Sequence, residues 1–154
     1  FPSRPVFAHC DIPCGIYDPS TAQLAAKTVL TMVQKIKDLK AEPGSPEELQ
    51  MRNSFVRMVK VKEEHTELCK KELLILWTDY FKSEHLEKFP DLHDLVWKTL
   101  KLASKTKQNV DLETAQELLA NTQKIAEIFW KTKGLEPVRV PSGYPTEGEI
   151  VTHK

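Results

Sequence analysis

All ten prolines and all five glycines lie where they leave four long segments uninterrupted. Proline breaks helices and glycine weakens them, so uninterrupted segments of this length favour helix. Apolar residues recur at helical spacing within the segments, and no segment shows the alternation typical of a strand. The pattern predicts an all-α fold, an antiparallel (up-down) four-helix bundle.

The first two helices have clear start signals. Asp18 is the predicted N-cap of the first helix, with Pro19 at its first position, and the loop 41–44 ends it. The sequence 45–48 resembles a capping box with a proline in the first turn, and it predicts a second helix of more than 30 residues. The inward series of this helix is Met51, Phe55, Met58, Lys62, His65, Cys69, Leu73, Leu76 and Tyr80.

The second half of the chain is punctuated in the same way. Residues 83–88 predict a turn or short helix, and Pro90 opens the third long helix, which ends before a loop containing Asn109. Asp111 caps the fourth helix, and Gly134 ends it. Three prolines and two glycines then follow with little apolar content, which predicts a flexible C-terminal tail that is either mobile or draped over the bundle.

The 154 residues fit one domain, 9–134, preceded by an extension, 1–8, and followed by the tail, 135–154. Lysine and arginine number 22, as do aspartate and glutamate, so the net charge is zero and the basic stripe of a nucleic-acid-binding protein is absent. No apolar run approaches the roughly 20 residues of a membrane span. We expect neither a nucleic-acid nor a membrane partner.

Residues 9–18 contain the densest cluster of potential metal ligands, because one imidazole and two thiols fall within six residues, His9 to Cys14. Pro13 prevents a regular helix and Gly15 allows a turn, so the chain can bring Cys10 and Cys14 to one ion. Two sulfurs and two nitrogens in one plane favour square-planar nickel or copper over tetrahedral zinc. The pair alone also fits a local disulfide, half of a zinc site or two unrelated thiols.

The run from His9 to Pro19 resembles the nickel hook of the nickel superoxide dismutases. The resemblance continues at three further segments: 76–82 (LWTDYFK), 89–93 (FPDLH) and 128–133 (IFWKTK). It implies a four-helix bundle, one nickel ion per subunit and a homohexamer. It also implies that superoxide is disproportionated to dioxygen and hydrogen peroxide while nickel alternates between its divalent and trivalent states.

The resemblance assigns the metal ligands residue by residue. Cys10 and Cys14 supply sulfur, Cys10 also supplies its amide nitrogen, and His9 supplies an N-terminal amine and an axial imidazole. An amine at His9 requires that residues 1–8 be removed, so the chain as written looks like a precursor. We expect weak nickel binding and little activity until a processing protease cuts before His9.

Three residues near the predicted metal are candidate catalytic residues. The resemblance places Tyr17 and Tyr80 beside the metal, where their hydroxyls position substrate or water, and Asp11 within the hook, where it accepts amide hydrogen bonds. Lys82 is a candidate for attracting the superoxide anion, or else an ordinary exposed lysine.

Other polar residues have structural interpretations beside functional ones. The resemblance implies an arginine and a glutamate supporting the axial imidazole at positions that hold His65 and Ala25 here, so His65 is either a replacement support or a buried core histidine. Cys69 is predicted to pack as a small apolar group. His85, His93 and His153 are expected at the surface, and Trp77, Trp97 and Trp130 in the core or an interface.

Two further function classes remain open beside the enzyme. One is a non-catalytic metal-binding or thiol-switch bundle, and the other is a helical interaction module in which Cys10 and Cys14 form a disulfide. We expect a cytoplasmic protein, with export or an organelle as the alternative.

Overall fold

The computed structural model describes residues 15–154. The predicted ligands His9, Cys10 and Cys14, together with Asp11 and the extension 1–8, lie outside the described residues. The described chain is mostly helical, in the order α1 (Ser20–Asp38), α2 (Pro46–Ile75), a π-helical turn (Leu76–Tyr80), α3 (Ser83–Lys88), α4 (Leu92–Gln108), α5 (Leu112–Thr132), β1 (Pro137–Pro141) and β2 (Glu149–His153).

The four long helices enclose one core. Helix α1 packs against α2 and α5, and α4 packs against the same two helices. The predicted stripes of α1 and α5 supply most of the buried side chains, and α4 adds a smaller set. The core includes Ala22, Ala25, Val29, Leu73, Leu92, Val96, Leu118, Ile125 and Phe129. No helix among residues 15–154 is both long and apolar enough to cross a bilayer.

The predicted helix starts are mostly right, with three adjustments. Pro19 is the N-cap of α1, and the Asp18 carboxylate accepts a hydrogen bond from the Ser20 N–H at 2.6 Å. Helix α4 begins at Leu92 rather than Pro90. The capping box predicted at Ser45 does not form, because the Glu48 carboxylate accepts from the Gly44 N–H at 2.7 Å instead.

The inward series predicted for α2 is correct only in the second half of the helix. Lys62, Cys69 and Leu73 are buried, whereas Phe55 is 42% exposed. Helix α2 packs against α1, but several apolar side chains in its first half are not covered by other described residues. Leu49 and Val56 are 76% and 65% exposed.

The described chain is mostly helical, as predicted, but its C-terminal residues form a small sheet instead of a mobile tail. β1 and β2 form an antiparallel hairpin in which Arg139 pairs with Val151. The side chain of Gln23 on α1 donates to the Val151 carbonyl at 3.0 Å and accepts from its N–H at 2.8 Å. Gln123 on α5 donates to the Glu149 carbonyl at 2.8 Å. Glutamines from two helices therefore satisfy the outer edge of β2.

The outer edge of β1 has few hydrogen-bond donors for a further strand. The backbone N–H and carbonyl of Val151 point away from β1, toward Gln23. The N–H and carbonyl of its partner Arg139 therefore point away from β2, to the outer edge of the hairpin. Along β1 every second residue faces the same edge, so Pro137 and Pro141 also face outward. Proline has no N–H to donate. Of the three outward positions on β1, only Arg139 can donate to an added strand.

Candidate metal centre and active site

The described residues hold no metal site of their own. No group of three or more histidine, cysteine, aspartate or glutamate side chains within residues 15–154 could hold an ion. Cys69 is fully buried, 3.8 Å from the Thr122 hydroxyl, and desolvation raises the pKa of its thiol to about 12. The prediction that Cys69 packs as a small apolar group is confirmed, and any ligand cysteines lie at positions 10 and 14.

A π-helical turn at the end of α2 positions Tyr80. The Phe81 N–H donates to the Leu76 carbonyl at 2.9 Å, one residue further back than in an α-helix. The extra residue widens the last turn, and such π turns occur frequently at functional sites. Phe81 is buried and anchors the end of the turn, while Tyr80 remains half-buried beside α5.

The structure brings the two predicted tyrosines together. The ring centroids of Tyr17 and Tyr80 lie 5.5 Å apart with a tilt of 53°. They line one cleft of about 380 Å³, and Gly15, the residue that follows Cys14 in the sequence, lines it too. The complete lining is Gly15, Tyr17, Asp79, Tyr80, Lys82 and His85.

His85 contributes to this cleft, although the sequence suggested an ordinary surface histidine. Its side chain is only 12% exposed, and its ring stacks on Tyr80 at a centroid distance of 5.6 Å and an angle of 23°. Its Nδ1 accepts from the Lys82 N–H at 3.1 Å, so a neutral ring carries its proton on Nε2. His93 and His153 are exposed as expected, although each lies against a tryptophan.

The Tyr80 hydroxyl contacts α5. Its oxygen lies 2.7 Å from the Thr132 hydroxyl, and the Thr132 hydroxyl donates to the Phe129 carbonyl at 2.6 Å. The Phe129 ring packs against the Tyr80 ring at a centroid distance of 4.5 Å. The phenol is thus fixed both through its ring and through its oxygen.

Two lysines give this region positive charge. Lys82 is exposed and lines the cleft. The Lys133 ammonium lies 5.6 Å from the centroid of the Tyr80 ring and 5.1 Å from that of Phe129. Asp79 is the acidic residue of the cleft lining. A small anion approaching the tyrosines therefore meets both signs of charge, with the lysines in excess.

His65 has a local hydrogen-bond partner. Its Nδ1 lies 2.9 Å from the Val61 carbonyl one turn earlier on α2, so Nδ1–H donates within the helix. Ala25, the other position expected to support the axial imidazole, is fully buried in the core. The bond to Val61 fits the structural interpretation of His65, and its contribution to imidazole support stays a prediction.

Sequence reasoning missed Thr132, Lys133 and His85 as neighbours of Tyr80. Thr132 and Lys133 lie in the segment 128–133 that carries the family resemblance, which was the available signal. Thr132 is 52 residues from Tyr80 along the chain, so no local spacing connects them.

Comparisons with known proteins agree with the geometry. A family model described as nickel-containing superoxide dismutase matches residues 4–133. The chain is similar to a nickel superoxide dismutase of Streptomyces coelicolor, with 40% identity over 132 residues, or 86% of this chain and 93% of the relative. The enzyme of Streptomyces seoulensis is 38% identical over the same shares. A native nickel superoxide dismutase structure superposes with a TM-score of 0.69 at 39% identity, covering 81% of this chain and 99% of the other.

Proposed function

Because the chain belongs to the nickel-containing superoxide dismutase family, we propose that it converts two superoxide ions and two protons to dioxygen and hydrogen peroxide. The observation that carries this proposal is the cleft lined by Tyr17 and Tyr80. Gly15, which directly follows Cys14 in the sequence, also lines this cleft. A metal held by the hook would therefore be tethered next to two phenols and a lysine.

The donor set fits nickel. Cys69 is buried and protonated, so Cys10 and Cys14 are the thiols left for a metal, and His9 adds an imidazole. Thiolate and nitrogen ligands suit a late first-row metal. When bound, nickel supplies the electron exchange by alternating between the divalent and trivalent states, and the thiolates make the trivalent state accessible.

The residues of the cleft handle the substrate. Lys82 and Lys133 attract the superoxide anion, and the rings of Tyr17 and Tyr80 restrict what enters to a small molecule. Asp11 is proposed to hold the hook by accepting backbone N–H groups. The proposed site thus divides into a metal-holding segment, 9–14, and a described framework that shapes access to it.

Removal of residues 1–8 is part of the proposal. His9 can offer an amine only as the first residue, because an amide nitrogen that is acylated by Ala8 is a poor neutral donor. A processing protease is therefore a required partner, and the family match, which begins at residue 4, extends upstream of His9.

Cleavage and nickel loading test the function directly. Protein cut after Ala8 and loaded with nickel should bind one ion per chain and accelerate superoxide decay, whereas uncut protein with the same nickel should bind it weakly and show little activity. Equal activity with residues 1–8 verified intact by mass would overturn the processing step. Stoichiometric nickel without superoxide decay would overturn dismutation and indicate the non-catalytic metal-binding alternative.

We also propose an antiparallel four-helix bundle as the topology and a homohexamer as the assembly. The packing of α1 and α4 each against α2 and α5 supports the topology. The exposed apolar side chains of Leu49, Phe55 and Val56 on α2 support an interface, since a protein contact would remove them from water.

A further inference from the structure

We propose that Thr132 is a positioning residue for the dismutase site, because its hydroxyl accepts the phenol proton of Tyr80 and so leaves the Tyr80 oxygen as a hydrogen-bond acceptor only. The inference rests on the proposed function and specifies how one of its tyrosines works. It follows from the way in which α5 ends.

The end of α5 determines where the Thr132 hydroxyl donates. Gly134 adopts a φ of 75°, a left-handed conformation that ends the helix. The Lys133 N–H consequently donates to the Trp130 carbonyl at 3.1 Å rather than to Phe129, the residue four positions back. The Phe129 carbonyl receives the Thr132 hydroxyl instead, at 2.6 Å.

The Thr132 bond to Phe129 fixes the direction of the bond to Tyr80. A threonine hydroxyl has one proton, and a carbonyl can only accept. With that proton on the Phe129 carbonyl, the 2.7 Å contact between the Thr132 and Tyr80 oxygens requires Tyr80 to donate. The chain of donors runs from Tyr80 to Thr132 to Phe129.

The ring of Tyr80 is held in the orientation that this bond needs. His85 stacks on it at 5.6 Å, and Phe129 packs against it at 4.5 Å. The π-helical turn fixes the backbone from which the ring projects. A different direction for the phenol O–H would therefore leave the Thr132 oxygen without its donor.

The consequence concerns proton delivery. Dismutation consumes two protons for each pair of superoxide ions, and a phenol beside the metal is an obvious source. Tyr80 is not the immediate donor, because its proton is already bonded to Thr132. Its oxygen instead accepts a hydrogen bond from a water or a protonated product in the cleft.

Tyrosine vibrational spectroscopy tests the hydrogen bond without nickel or turnover. The Fermi doublet of tyrosine in the off-resonance Raman spectrum distinguishes a phenol that donates from one that only accepts, and the chain has three tyrosines. The difference spectrum between wild type and Tyr80→Phe isolates Tyr80 and should show a donor. Thr132→Val should remove the donor signature, and Thr132→Ser should retain it. An acceptor signature in wild type, or a donor signature that survives in Thr132→Val, would overturn the proposal.

A double-mutant cycle tests the effect on catalysis in processed, nickel-loaded protein. Thr132→Val should lower the rate constant of superoxide decay by about tenfold, in the range seen when a residue that orients a group at a metal site is removed. It should cause no further loss when Tyr80→Phe is already present, since Thr132 acts through that hydroxyl. Independent, multiplicative losses would contradict the proposal, as would a wild-type rate in Thr132→Val.

Thr99→Val is the matched control. Thr99 is buried on α4, and its hydroxyl donates within its own helix to the Leu95 carbonyl at 2.6 Å. This variant should retain the wild-type rate. If wild type itself shows no dismutation, the proposed function fails, while the Raman spectra still decide whether Thr132 accepts from Tyr80.

Discussion

Lys62 interrupts the apolar face of α2, and its ammonium group is buried. It donates to the carbonyls of Thr106, Lys107 and Asn109 at 2.7, 2.7 and 3.1 Å. The last carbonyls of a helix lack partners within the helix, and Lys62 supplies one donor group to three of them at the end of α4. Desolvation lowers the pKa of Lys62, so this arrangement tolerates a costly burial.

Removing the Lys62 ammonium group should destabilise the protein more than removing an exposed one. Lys62→Met keeps the length of the side chain but leaves buried carbonyls unpaired, which should lower the free energy of unfolding by about 1–3 kcal/mol. Urea denaturation measures the loss. Lys60→Met, at an exposed lysine on the same helix, is the control and should change little. Equal stability of the two variants would contradict the capping role.

Cys69 should differ sharply in reactivity from the other cysteines. Burial raises the pKa of the Cys69 thiol to about 12, so almost none of it is ionised at pH 8, and burial also blocks access to it. Freshly reduced, folded apoprotein should therefore expose at most two reactive thiols to a thiol reagent, and the third only after denaturation.

Nickel provides the second half of the thiol test. Loading the processed protein should protect the two reactive thiols, because Cys10 and Cys14 are the proposed ligands. Mass spectrometry of the labelled peptides identifies which cysteine has reacted. Labelling of Cys69 in the folded protein, or full labelling of Cys10 and Cys14 in the nickel-loaded protein, would count against the assignment.

At the scale of elements, the long helices could be predicted because proline, glycine and apolar spacing act locally. The hairpin was missed although it carried a signal: Val138 and Val140 alternate with Arg139, residues 150–152 are all β-branched, and turn residues separate the two segments. The prolines at the ends of β1 favoured the interpretation of this segment as a tail without regular structure. The π-helical turn had no local signal, because it depends on how Tyr80 and Phe81 pack against the rest of the molecule.

The attachment of the hairpin depends on Gln23. Gln23→Ala removes both bonds to Val151 and leaves a buried N–H and carbonyl unpaired. The free energy of unfolding should fall by about 1–3 kcal/mol. Gln34→Ala, at an exposed glutamine of the same helix, should have little effect. A hydrogen-exchange measurement that finds the Val151 amide equally protected in both variants would show that Gln23 does not hold the hairpin.

At the scale of the whole molecule, the chain leaves apolar surface on the first half of α2 that its own core does not cover. In the proposed homohexamer this surface is buried between subunits. Val56→Glu would place a charge on a side chain that is 65% exposed, so it should not disturb the subunit core. It should instead shift the assembly to smaller species in light scattering, with the helical circular dichroism unchanged.

Lys98→Glu provides the comparison on a different helix. Lys98 pairs with Asp94 on α4, and its side chain is 61% exposed, so this charge change lies at a polar site away from the first half of α2. It should leave the mass of the assembly as in wild type. A hexamer that persists in Val56→Glu would place the interface elsewhere.

The sequence indicated the metal-holding segment because its donors are neighbours along the chain. It could not indicate Thr132 or His85 around Tyr80, since those contacts exist only after α2, α3 and α5 have packed. His85 is close in sequence to Tyr80, yet its stacking depends on the π-helical turn that precedes it.

The outward positions of β1 have a consequence for the protein at high concentration. A bare two-stranded sheet at the end of a chain is a template on which other copies can stack into fibrils. Pro137 and Pro141 leave that template with a single donor, and Arg139 places a charge between them. The C-terminal hairpin is therefore expected to be a poor template for aggregation even in concentrated solutions of the protein.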